Sequence, residues 1–113
     1  MDRKKLADLK LVINIFLTEL KKRNIRPEEI LVYGSYAKGT ADEWSDIDLV
    51  VISKDFEAIP PVERLALLSH AAWPTGEAIE VLGYTPKEIA KNGKDSILWE
   101  EIQNNHKVLY KAA

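Results

Sequence analysis

The chain has 113 residues, 46% hydrophobic and 30% charged, which suits one domain with a single hydrophobic core spanning residues 1–113. Cysteine is absent, excluding disulfides, thiolate zinc sites and cysteine nucleophiles. A formal net charge of -2 provides no overall field for a nucleic-acid backbone. With no apolar run near the roughly 18 residues of a membrane span and no leader pattern, the expectation is a cytoplasmic protein.

In chain order, Leu6, Leu9, Ile13, Phe16, Leu17 and Leu20 recur at three- and four-residue steps and predict an amphipathic helix over residues 5–23. "KKRN" closes it with basic residues and an asparagine, Asn24, that tolerates a left-handed turn. "EEILVYG" carries a short strand, Ile30 to Tyr33, that stops at Gly34. "SDIDLVVIS" is the second strand, with Ile47, Leu49 and Val51 on one face and Asp46, Asp48, Val50 and Ile52 on the other. "PPVERLALLSHAAW" opens on prolines and predicts a helix whose stripe is Val62, Leu65, Ala66, Leu68, Ser69 and Ala72, ended by Pro74. "EAIEVLGY" is the third strand, Glu77 to Tyr84. Thr85, Pro86 and Glu88 then have the spacing of a helix cap, first position and third position. A last helix runs through Ile97, Leu98, Glu101 and Ile102, and "HKVLYK" forms a terminal strand. Helices alternating with strands predict a small α/β layer fold with a mixed sheet.

The chemistry concentrates between Gly34 and Asp48. Glycines at 34 and 39 permit backbone conformations that side chains block, and the amides between them, with the Ser35 hydroxyl, could converge on phosphate. The Walker A and dinucleotide patterns are both missed, since the lysine, Lys38, precedes Gly39 and the glycine spacing is wrong. Asp46 and Asp48 share one strand face, about 6 to 7 Å apart along the backbone. Two such acids repel unless a cation lies between them, and an all-oxygen site beside phosphate suits magnesium or manganese. An Asp-x-Asp alone equally well begins a strand at a solvent edge.

"GSYAKGTADEWSDIDL" joins the two features, and Gly34-Ser35 followed by Asp46-x-Asp48 closely resembles the signature of the polymerase-beta-like nucleotidyltransferase superfamily. The likeness covers nearly the whole chain and is strongest to the minimal prokaryotic members. It implies a small polymerase-beta-like nucleotidyltransferase fold that transfers a nucleoside monophosphate from a nucleoside triphosphate to a hydroxyl, with divalent metals. On this resemblance Gly34 and Ser35 hold the triphosphate, and Asp46 and Asp48 are metal ligands; Lys38, from its place in the loop, is a further phosphate candidate or equally a solvated charge. The family pattern asks for a third carboxylate on a neighbouring strand. Alternation puts Glu80 with Ala78 and Leu82, away from the apolar face of Ile79 and Val81 that Glu77 would share, so Glu80 is the choice for both catalysis and metal. Related small members usually carry aspartate there. The same resemblance implies ATP as nucleotide, Mg2+ or Mn2+ as cofactor, and an antitoxin role beside a helical HEPN-domain toxin whose tyrosine accepts AMP. Self-association into a homo-oligomer stays open. The contrasting reading is a non-catalytic antitoxin or binding module on the same fold.

Other residues carry plainer expectations. Ser45 and Thr40 shape the loop through backbone hydrogen bonds. Trp44 packs the loop onto the domain, and Trp73 and Trp99 are core or partner-contact residues. His70 and His106, the latter in a polar turn, are too far apart in sequence for a zinc pattern.

Overall fold

A computed structural model describes residues 8–92 and 96–113. The first helix, α1, is Leu9–Lys22, started by Asp8, whose Oδ1 accepts from the Lys10 and Leu11 amides at 3.1 and 3.3 Å. Its expected first turn, with Leu6, lies outside the described residues. Asn24, at φ 63°, is the only non-glycine among the described residues with positive φ, and it makes the turn out of the helix. Strand β1 is Glu29–Tyr33, and a single helical turn, α2, follows at Ser35–Lys38. Strand β2 is Ile47–Ile52, helix α3 is Pro61–Ala72, and strand β3 is Ile79–Tyr84. Helices α4, Pro86–Asn92, and α5, Ile97–Asn104, precede strand β4, His106–Lys111.

The sheet order is β3-β2-β1-β4. β1 runs antiparallel to both β2 and β4, while β2 and β3 are parallel and joined through α3, giving the mixed sheet expected. Alternation on β2 decides which layer lies where. Ile47, Leu49 and Val51 join Ile30, Val32 and Val81 under Val12, Ile13, Phe16 and Leu20 of α1 and Leu68, Ala71 and Ala72 of α3. Val50 and Ile52 point the other way and meet Leu31, Trp99 and Ile102, so α5 covers the second face. At Gly83 a Cβ would sit 2.9 Å from Leu68 Cδ1 and 3.1 Å from the Phe56 ring, so the missing side chain lets the α3 layer press onto β3.

Three expectations are corrected. The α3 stripe is rotated: Val62, Leu65, Ala66 and Ser69 are exposed, whereas Arg64 is buried with Leu68, Ala71 and Ala72. Arg64 turns inward because its guanidinium finds four acceptors, the carbonyls of Ile59 (2.7 Å), Phe56 (2.8 Å) and Gly83 (3.3 Å) and Glu88 Oε1 (2.6 Å). A residue read as polar thereby takes a core position, a fact that hydrophobic periodicity misses. The strand expected from Glu77 begins at Ile79, after a turn through Gly76 at φ 74°. His106 is the first residue of β4 rather than part of a turn. The reciprocal cap is as expected: Glu88 accepts from the Thr85 amide at 2.8 Å, and Thr85 Oγ1 accepts from the Glu88 amide at 3.1 Å.

Candidate active site

The site forms where β1 ends and β2 begins. Gly34 has φ 66° and ψ -146°, a conformation that L side chains rarely adopt. A Cβ there would collide with Asp48 Oδ2, and Asp48 Cγ would lie 3.3 Å from it. The turn therefore lies directly against the second aspartate, so the glycine meets both a backbone and a space requirement. Gly39, at φ 76°, closes α2 with its N–H on the Ser35 carbonyl.

The connection into β2 is held by its own polar groups. Asp42 Oδ1 accepts from the Trp44 amide at 2.9 Å and from Ser45 Oγ at 3.2 Å, while Ser45 Oγ accepts from the Asp42 amide at 2.9 Å. Ser45 acts on the backbone as expected. Trp44 does not: it is 85% exposed and leaves the loop unpacked. Trp73, equally exposed, is not a core residue, while Trp99 is buried.

The register brings the acids together. Asp48 pairs with Tyr33 on one side and with Glu80 on the other. Glu80 thus stands beside Asp48 on the parallel neighbour strand, and Glu77 precedes that strand. Burial, reinforced by the Glu80 charge, a hydrogen bond with Glu80 and the Asp46 charge, pushes the Asp48 carboxyl up to about 6. The neighbouring negative charges disfavour the ionised form of Asp48, and a cation between the carboxylates would relieve that repulsion. Burial and the same two acids push the Tyr33 phenol up to about 12.

This donor set fits a hard divalent cation. It is entirely oxygen, and its mutual repulsion is what a positive ion relieves. Asp48 and Glu80 meet and Asp46 is within their electrostatic reach, yet among the described residues no three acidic or histidine side chains converge into a finished metal group. Asp46 is exposed and free to adjust, and nucleotide phosphate oxygens complete such a shell in phosphoryl-transfer sites. Lys38 does not point into an open phosphate site: its Nζ is 2.8 Å from Glu101 Oε1, tying α2 to α5. The lysine holds the Glu101 carboxyl below its ordinary range.

Sequence reasoning missed Tyr33 and His106. Tyr33 pairs with both Asp48 and His106, so Glu80, Asp48, Tyr33 and His106 form one row across all four strands. A strand reading gives each residue a face but no partner, and that row exists only in the pairing.

A family model described as a nucleotidyltransferase domain matches residues 13–109, which includes the glycine-serine turn and all three acids. The chain belongs to this family. A candidate protein adenylyltransferase of Methanocaldococcus jannaschii is 62% identical over 26 residues, a match that spans 23% of this chain and 18% of that protein. Among solved structures, a candidate nucleotidyltransferase of Sulfolobus solfataricus superposes with a TM-score of 0.63 at 18% identity, covering 91% of this chain and 79% of that one. A toxin-antitoxin complex with AMP-PNP gives 0.63 at 18% identity, with 94% and 75% covered. A tri-AMPylated HEPN toxin of Shewanella oneidensis with its MNT antitoxin gives 0.58 at 16% identity, with 92% and 73% covered. These likenesses establish a small nucleotidyltransferase fold, a mixed sheet flanked by helices.

Proposed function

We propose that this nucleotidyltransferase domain moves AMP from ATP to a hydroxyl, the acceptor being a tyrosine of a helical HEPN-domain toxin. The observation that carries the reading is the register of Asp48 with Glu80, with Gly34 pressed against the same aspartate. The AMP-PNP complex and the AMPylated toxin in the related structures support the choice of nucleotide, acceptor and partner. The reaction is placed in the cytoplasm. Among the described residues no helix is long and apolar enough to cross a membrane.

Each residue has a definable task. Gly34 and Ser35 bring backbone and hydroxyl close to the triphosphate. Asp46 and Asp48, with Glu80, would hold Mg2+ or Mn2+, which when bound supplies positive charge to the phosphate oxygens and the attacking oxygen. Glu80, at the β3 side of Asp48, takes the proton of the acceptor hydroxyl. Lys38 would reach phosphate only on release from the Glu101 carboxylate that now holds it.

The test is the intact mass of a co-purified HEPN-domain protein after incubation with ATP and magnesium. One added AMP per modified tyrosine is expected, with loss of the gain on Tyr-to-Phe change in the partner. Glu80→Gln should slow transfer about a hundredfold or more while retaining ATP binding, and Glu77→Gln should change little. Glu80→Asp, restoring the usual family residue, should keep or raise the rate. Tight complex formation with no mass gain from any nucleotide would instead establish a non-catalytic antitoxin.

A further inference from the structure

We infer that the outward stripe of α3 is a self-association surface, on which a second copy of this chain lies antiparallel across a twofold axis beside Ala66. α3 carries two apolar faces, and the fold uses one of them: Leu68, Ala71 and Ala72 are packed into the core. The other looks into solvent. Val62 is 78% exposed, Leu65 48% and Trp73 85%, with Ala66 and Ser69 exposed between them. Trp73 keeps helical backbone at φ -52° and ψ -47°, so it continues the same stripe past the end of α3. At 3.6 residues per turn, Val62, Ala66, Ser69 and Trp73 point within about 60° of one another, bordered by Leu65 on one side and by Glu63 and His70 on the other. A helix that is apolar on both faces is expected to be covered on both.

The order of side chains along the stripe selects a second copy as its occupant. When two antiparallel helices are related by a twofold axis, each flank of one meets the same flank of the other. Glu63 and His70 share a flank, and both are exposed, with no hydrogen bond or ion pair among the described residues. Set opposite each other across the axis, the Glu63 carboxylate of each copy accepts from the His70 ring of the other, so a single register makes the pair twice. That register puts the axis midway between them, beside Ala66, whose methyl lets the helices approach closely. Val62 then lies about 7 Å along the helix from the axis, and on that side the second copy's Ser69 and Trp73 lie at about 4 and 10 Å. Val62 enters the gap between them. Charge and shape thus choose the same register. α3 covers the sheet face opposite the one that α5 covers and Asp48 borders, so the contact leaves both candidate active sites open. A contact of three to four helical turns is smaller than the roughly 1,200 Å² of a stable complex, so the dimer is a weak one that half dissociates at about 10–100 µM.

The test is sedimentation equilibrium of the full chain from about 2 to 200 µM, across which the mass should rise from one copy towards two. Ala66→Glu sets two carboxylates against each other at the axis and should leave a monomer throughout, with the thermal midpoint in dilute solution unchanged because the position is exposed. Trp73→Ala should weaken association about tenfold or more. Charge exchange reads the register. Glu63→Lys should weaken association about three- to tenfold, and adding His70→Glu to it should restore the wild-type constant. A wild type that stays monomeric at the highest concentration overturns the inference, as does a dimer that Ala66→Glu leaves intact, since another face would then hold it. Failure of the double variant to recover overturns the antiparallel register that selects a second copy. If Ala66→Glu instead weakens binding of a co-purified helical protein while the chain alone stays monomeric, the stripe belongs to that protein and the inference falls.

Discussion

The two faces of β2 answer different demands within six residues. On one, Ile47, Leu49 and Val51 are almost completely buried beneath α1 and α3 in one hydrophobic cluster. On the other, Val50 and Ile52 are covered by α5, but Asp48 lies at the open end beside a second acid and a phenol. The first face is built for stability and the second accepts an unfavourable cluster of charge. The difference teaches where destabilising chemistry can sit: at the end of a strand whose opposite face is anchored. A core that is full on one side holds the carboxylates close although they repel.

The largest test of that division is Phe16→Ala. Phe16 is fully buried between α1 and the sheet, so its loss should cost about 3–5 kcal/mol in urea unfolding, enough to unfold much of a marginal domain. If the cost were small, the closed face would not be the anchor. Gly34→Ala acts at the other face through strain and the collision with Asp48 Oδ2. It should cost about 1–3 kcal/mol and weaken magnesium ATP binding, whereas Gly39→Ala, with open space around its Cβ, should spare the nucleotide.

Asp48→Asn should do the reverse and stabilise the fold. The folded carboxyl titrates at about 6 against an ordinary 3.8, so the stability tied to its neutral form is complete below 3.8 and is lost as pH rises through 6. The thermal midpoint of the wild type should therefore fall between pH 4 and 7 relative to Asp48→Asn. After discounting for solvent screening, the gap at pH 7 should be about 1 kcal/mol, or about 4 °C, and magnesium should narrow it. A variant less stable than wild type at pH 7 would mean that the acid cluster is not a source of strain. Trp44→Ala has the smallest expected effect, within about 0.5 kcal/mol, because the ring is exposed. Unchanged stability with reduced complex formation would assign that ring to a partner.

Much of the site was legible before any coordinates. The turn at Gly34 and the alternation that sets Asp48 opposite Ile47 and Leu49 follow from local rules, since side-chain alternation is fixed by strand geometry, whereas Asp46, expected on the strand, precedes β2. The Thr85–Glu88 cap is local for the same reason. The α3 stripe was misread because Arg64 counts as polar until carbonyls from separate segments, at Ile59 and Gly83, appear around it. Trp44 was misplaced because aromatic character says nothing of whether a loop folds back.

The sequence by itself therefore determined the strands, the alternation along them and the glycine turn, because each depends on neighbours within a few residues. Only the tertiary structure decided what lies across from what. Asp48 beside Glu80, Tyr33 between Asp48 and His106, and Lys38 held by Glu101 are pairings between segments remote in the chain. Such register is chosen by burying the Ile47, Leu49 and Val51 face under both helices, and a slip of one residue would turn the acids into that core.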